Sequence, residues 1–351
     1  MKRILMIIFS LAMSSAVFAD AASNAADSAK SALSAATSTI NSGLEDFSKE
    51  LQNTVPNLQT TQNVYADAFI GKLFPAVPPH FAFGANFGIT TLKTEGLSDS
   101  VDAIQSVLQD LGGLDLDISV PNKLALPTIT ADVRVGGVLL PFDIGLTAML
   151  TGTDAPKIDT GDYSSYHDLG GNLSAGGNGF SGSINFFTFG IDARYAILED
   201  GLLLPGLSVG AGYAVSKGAV SVSGSDSKTE SGVKNSVDAD IDVAYVTQTA
   251  YVQAQLSKKF FIITPFVGAR MLLSWSDNAY SWNVNYTASA GDNSVPISMG
   301  GKDEISRGAY FIPQLYFGTG INLLFFQLSA SAAYDIRDAL LSGAFSLRFK
   351  L

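Results

Sequence analysis

With 351 residues, 32 acidic against 21 basic side chains and no cysteine, the chain has room for one large domain and carries too little clustered positive charge to favour nucleic acid as a partner. The lack of cysteine excludes disulfides, lipid attachment at a thiol and thiolate metal sites. Hydrophobic residues make up 47% and charged ones only 15%, with 34 Gly and 22 Phe, yet beyond the N-terminus no run reaches the roughly 18 apolar residues of a membrane-spanning helix.

In chain order, Met1 to Ala19 reads as a secretory signal peptide. Lys2 and Arg3 give the positive start, Ile4 to Val17 the apolar middle, and Val17-Phe18-Ala19 the cleavage site. Residues 20–79 form a second unit. A stripe at Ala29, Leu33, Ala36, Ile40, Leu44, Phe47, Leu51 and Val55 has helical spacing, and Pro56 is expected to stop it. So narrow a stripe must pack on something: the periplasmic mouth, the interior of a barrel, or a second copy. A short helix is expected over Val64 to Phe74, before Pro75, Pro78 and Pro79.

Residues 80–351 then alternate with a period of two. The first strand, His80 to Leu92, puts Phe81, Phe83, Ala85, Phe87 and Ile89 on one face and Gly84, Asn86, Gly88 and Thr90 on the other. A long connection to about Asn122 contains a helical pattern at Val101, Ile104, Val107, Leu108 and Leu111. Two hairpins share Asp-x-Arg on their descending strand and Leu-Leu-Pro near the turn (Asp132, Arg134, Leu139 to Pro141; Asp192, Arg194, Leu203 to Pro205), and two more follow with Gln253 and Gln255 or with Gly318, Gly320 and Asn322. Further polar connections are expected at Gly152–Gly182, Ser216–Val237 and from about Asp277 to Glu304. The total is about ten strands, and long and short connections alternate from end to end. An even-numbered antiparallel transmembrane β-barrel with an N-terminal helical segment predicts this alternation. A soluble sandwich does not. Export and a bacterial outer-membrane location follow.

The last strand, with Leu341, Gly343, Phe345, Leu347, Phe349 and Leu351 outward, resembles the terminal strand of bacterial outer-membrane barrels, which implies recognition by the barrel-assembly machinery. An N-terminal helical segment ahead of a barrel also resembles the fatty-acid transporter (FadL-like) family. That resemblance implies a plugged lumen that binds hydrophobic substrates. No ligand residue of that family can be placed on this sequence by a motif.

With apolar faces turned to lipid, the lumen receives Asp132, Arg134, Asp192, Arg194, Tyr245, Tyr251, Gln253, Gln255, Arg270, Gln314, Tyr316 and Arg348, together with Asn86, Asp143, Thr247, Thr249, Gln327 and Lys350. Such charges need water or each other, so they line a polar pathway or binding cavity, or else form ion ladders that satisfy a filled interior. His80 and His167 lack the partners of a triad or a zinc site, and no serine sits in a nucleophile motif, so no enzyme activity, metal or cofactor is expected. Asp154, Asp159, Asp162 and Asp168 read as solvated loop charge, and Gly170 to Gly179 as a loop. Trp275, Tyr280, Trp282 and Tyr286 read as an interfacial aromatic belt. The expected function is passage or binding of small solutes, hydrophobic ones included, through a narrow or plugged lumen. The competing expectation is a structural or surface-interaction protein that acts through its extracellular loops. Outer-membrane lipid is a partner under either.

Overall fold

The alternation between Phe187 and Ile197 is realised residue by residue: Phe189, Ile191, Tyr195 and Ile197 face out, while Thr188, Asp192, Arg194 and Ala196 face in and are buried. The computed structural model describes residues 2–61, 63–70, 80–110, 114, 116, 118, 120–137, 141–150, 175–177, 180–230, 232–291 and 293–350. These form α1 (Lys2–Thr61), β1 (His80–Lys93), α2 (Glu95–Asp110), β2 (Lys123–Gly136), β3 (Phe142–Leu150), β4 (Ala175–Gly177), β5 (Phe180–Leu198), β6 (Gly206–Glu230), β7 (Val233–Ser257), β8 (Ile263–Ala290), β9 (Asn293–Leu323), β10 (Phe326–Asp335) and β11 (Leu340–Lys350). Among the described residues β1 to β3 and β5 to β11 close into an antiparallel ring of ten strands. Gly84 lies opposite Arg348 where the first strand meets the last, and Asp143 lies opposite Arg194 where β3 meets β5. The three-residue β4 only adds to the end of β5. One end of the ring carries short turns and both His80 and Lys350. The other carries α2 and the long hairpins.

The strands β6 to β9 run for 25, 25, 28 and 31 residues, far beyond the roughly 9–11 that a tilted transmembrane strand needs. The stretches expected as polar connections at Ser216–Val237 and Asp277–Glu304 are strand. They close in tight turns at Gly232 and Gly291, both with positive φ. Their polarity explains the misreading. Along β7 from the short-turn end, the outward face is apolar from Leu256 through Val252 to Val246 except for Gln248, which accepts from the outward Tyr213 hydroxyl, and the inward face is polar from Gln255 to Thr247. Past that row the two faces exchange character: Asp242, Asp240 and Asp238 point out, while Val243, Ile241, Ala239 and Val237 point in. On β8 the exchange falls at Asp277. A bulge between Ser274 and Ser276 marks the same level against β9. Below the row the solvent outside is oil, and above it is water, so the apolar face turns inward and builds a core of its own.

That core settles the fate of the expected aromatic belt. Tyr280, Trp282 and Tyr286 are buried inside the extension, packed with Leu33, Ile40, Leu44 and Phe47 of α1. Trp275 alone of the four faces out, with its ring 6.3 Å from that of Tyr213. The belt reading is therefore corrected for Tyr280, Trp282 and Tyr286. In water the large rings go to the covered face.

Helix α1 runs down the axis of this assembly. Trp282 Nε1 donates to Asn41 (2.8 Å), Asn278 Nδ2 to the Ser48 carbonyl (2.8 Å), Gln52 Nε2 to the Ile305 carbonyl (3.1 Å) and Gln314 Nε2 to Asn57 (2.8 Å), a ladder from the hairpin end into the ring. The stretch of α1 from Ala29 to Phe47 thus lies among the hairpins, opposite the end where β1 starts and β11 finishes. It does not sit at the short-turn mouth. Pro56 does not stop the helix, which continues to Thr61. A proline removes the hydrogen bond to the carbonyl four residues back. Here that carbonyl, on Gln52, instead accepts the Tyr310 hydroxyl. Helix α2 crosses α1 where Gly43 and Gly96 meet, so closely that a Cβ on either would overlap the other's backbone. Over Val64–Ile70 the expected short helix is irregular chain, and its remainder lies outside the described residues.

Candidate functional site

Two regions of the ring's interior have chemistry to offer. The first is the membrane-depth lumen, where β2 and β5 deliver the Asp-x-Arg pairs inward at period two and β3 and β11 add Asp143 and Arg348. Arg134 lies 2.5 Å from Asp143 and 2.7 Å from Asp192, Arg194 lies 2.7 Å from Asp143, and Arg348 lies 2.9 Å from Asp132, every one of these side chains buried. Pairing therefore runs between strands and never within one Asp-x-Arg motif. A Cβ at Gly145 would collide with the Arg134 guanidinium and with Asp192, so this glycine is what lets the two meet.

The irregular segment after α1 fits into this charge set. Tyr65 donates to Asp132 (2.5 Å), and its ring lies 3.7, 4.5 and 5.3 Å from the guanidinium carbons of Arg348, Arg134 and Arg194. Asn63 donates to Asp192 (2.8 Å) and to the Tyr251 hydroxyl (2.6 Å). Asp67 accepts from Lys350 (2.6 Å) and Gln327 (2.9 Å), and the Ile70 amide donates to Asp143 (2.9 Å). Arg270 has no carboxylate at salt-bridge distance among the described residues. It donates to the Thr60 carbonyl (2.7 Å) at the C-terminal, partly negative end of α1, between the rings of Tyr251 and Tyr316 at 5.1 and 4.7 Å. Gln255 donates to the Tyr65 carbonyl (2.7 Å), and Gln253 accepts from Arg270 (3.0 Å). Between Leu58, Asn63 and Thr147 the free volume is about 10 Å³, room for one water at most.

All twelve expected lumen residues face inward and are buried. Eleven of them surround α1's last turns and residues 63–70. Tyr245 instead sits in the extension's core, at the level where the faces exchange. Sequence reasoning missed Asn63, Tyr65 and Asp67, which lie in a segment with no periodicity to betray which side they present. His80 lies at the short-turn end of β1, and His167, the loop acids Asp154 to Asp168 and residues 170–174 lie outside the described residues.

The second region is an apolar cavity of about 400 Å³, lined by Leu124 and Leu126 of β2, Ile184 of β5 and Val222 of β6 and floored by Phe47 of α1 and Leu97 of α2. Its walls are nearly all hydrocarbon, and it sits where the outward face of the ring changes from apolar to polar.

Among the described residues a closed, even-stranded ring with an apolar outer band, short turns at one end and long connections at the other satisfies its backbone between strands, as a chain standing in oil must. The chain is an outer-membrane β-barrel. Its short turns are therefore periplasmic and its long hairpins extracellular. No family model and no curated protein sequence matches it. Among solved structures it is similar to the translocator domain of the autotransporter NalP from Neisseria meningitidis (9% identity, TM-score 0.34, covering 79% of this chain and 90% of that one). It is also similar to a Pseudomonas aeruginosa FadL homologue (9%, 0.26, 83% and 97%) and to the P. putida toluene transporter TodX (8%, 0.20, 78% and 89%). None of these reaches a TM-score of 0.5, and the functional reading rests on the chain's own geometry.

Proposed function

We propose that this barrel binds a small hydrophobic solute in the cavity lined by Leu124, Leu126, Ile184 and Val222 and takes part in its passage across the outer membrane. The observation that carries the reading is the cavity itself: about 400 Å³ of hydrocarbon-lined space beside α1 and α2, while the axial route is filled by α1 and residues 63–70. A hydrophobic solute reaches the cavity by partition, while among the described residues the axis is filled. Binding of the fluorescent apolar probe N-phenyl-1-naphthylamine to detergent-folded protein tests this. Leu124→Trp, which places an indole at the cavity mouth, is expected to abolish probe binding while the heat-dependent gel mobility of the folded barrel stays unchanged. Undiminished binding by that variant overturns the assignment of the cavity.

One observation favours a second reading, a surface-interaction protein. The extension carries its own core and presents long hairpins where polar connections were expected. Planar-bilayer conductance of the chain with and without residues 20–79 separates the two. A transport barrel opens when that segment is gone, and a structural one stays silent.

A further inference from the structure

The periplasmic turns break the usual rule that turns are polar. Leu202, Phe261 and Leu324, one from each of three turns, are each 97% exposed, and Leu203, Leu204, Phe260, Ile262, Leu323, Phe325 and Phe326 around them are also exposed. Phe261 and Leu324 moreover have φ of 54° and 52°, a backbone region that suits Gly or Asn and is strained for large side chains. The turns are held stiff by one another. Lys258 Nζ donates to Asp200 (3.1 Å) and to the carbonyls of Gly201, Leu202 and Leu204, and the Lys259 amide donates to Asp200 (2.7 Å). The Asn322 amide donates to the Ile262 carbonyl (2.7 Å), and the Lys350 amide to that of Phe325 (2.7 Å). Lys258 and Asp200 are thereby occupied within the rim, the Lys350 ammonium is held by Asp67, and apart from exposed Glu199 and Lys259 the tips show hydrocarbon outward.

We propose that these apolar tips form an anchoring rim inserted at the headgroup–acyl boundary of the periplasmic leaflet, with lipid as their partner. Two features select lipid. The rim is continuous with the lipid-facing belt, through Ile263 into Val267 on β8 and through the packed rings of Phe325, Phe326, Phe349 and Phe83. It also lacks the Arg, Tyr and Trp with which protein interfaces are built, and its exposed Glu199 and Lys259 stand beside the apolar tips at the level of the headgroups. The depth agrees: Val246 to Leu256 already spans the hydrocarbon, so the tips fall just beyond it, where Leu and Phe insert favourably. The rim would fix how deep and how tilted the barrel sits.

The proposal rests on the membrane reading of the belt, and the test keeps the two apart. Because the chain has no cysteine, Phe261→Cys, Leu324→Cys and Leu203→Cys each supply a unique thiol for an environment-sensitive fluorophore, with Met271→Cys on the belt and Ser225→Cys on an extracellular hairpin as references. In phosphatidylcholine vesicles the rim labels are expected to be blue-shifted, quenched by nitroxide lipids and protected from aqueous iodide, like Met271→Cys and unlike Ser225→Cys. Rim labels that iodide quenches as freely as Ser225→Cys, while Met271→Cys stays protected, overturn the anchor and turn the rim into a candidate protein-docking surface. Loss of protection at Met271→Cys as well overturns the membrane reading beneath it. Leu203→Cys, outside the strained positions, keeps the test available if the other two fail to fold.

Discussion

Replacing Arg134 with Met should expose how the lumen charges are balanced. Arg134 bridges Asp143 and Asp192 at 2.5 and 2.7 Å. Met keeps most of the aliphatic volume, so the loss is electrostatic rather than one of packing. Asp143 retains Arg194 and the Ile70 amide, but Asp192 keeps only the Asn63 amide donor and the Tyr251 hydroxyl nearby. A buried carboxylate stripped of its cation costs about 3–5 kcal/mol. Adding Asp192→Asn removes the stranded charge, leaving a deficit of about 1–2 kcal/mol, the scale of hydrogen bonds no longer ideally made. Urea unfolding in detergent micelles, followed by loss of the folded electrophoretic form, measures both variants against the parent. A double variant no more stable than Arg134→Met would refute the reasoning, because the cost would then lie in lost contacts and not in an orphaned charge.

Three further outcomes are expected. Trp282→Ala, which empties the extension's core and leaves Asn41 without its donor, should cost about 3–5 kcal/mol locally, read as faster hydrogen exchange along the hairpins with the membrane-depth strands still protected. Ser28→Cys, on the exposed side of α1 among the hairpins, should react with a membrane-impermeant maleimide added to intact cells, and labelling only after the envelope is broken would contradict the threaded course of α1. Burial, and next the Asp335 carboxylate beside it, push the Asp338 carboxyl above its usual range. The folded state therefore holds this proton more tightly than the unfolded chain, and the stability present at low pH is lost as pH rises from about 4 toward the raised value. Asp338→Asn should flatten thermal stability across that window, and an unchanged pH profile would contradict it.

The strand faces at membrane depth were legible because lipid enforces one rule there, apolar out and polar in, on β1, β2, β5 and β11 alike. Above the membrane the period of two persists in Val237-Asp238-Ala239-Asp240-Ile241-Asp242-Val243, but with the apolar set turned inward. Read by the lipid rule, those aspartates suggest a loop. Read for period alone, they give a strand, and the same holds for Tyr280, Trp282, Val284 and Tyr286. The charged residues of the lumen were legible by face, but their partners were not, since Arg134 meets Asp192 and Arg348 meets Asp132 only through sheet register and closure. Asn63 and Tyr65 carried no signal at all. Pro56 misled because its consequence depends on Tyr310, a residue far along the chain that takes up the carbonyl it frees.

Arg348 joins two events that could otherwise occur separately. It stands on the final strand, donates to Asp132 on the second and to Asn86 on the first, and also to the carbonyl of Val64 in the segment that fills the bore. Zipping the seam with the stopper out of place would leave part of this guanidinium unsatisfied in a space sealed from water. Closing the cylinder and corking it are thus one cooperative step, and a chain that emerges empty carries its own mark of faulty assembly.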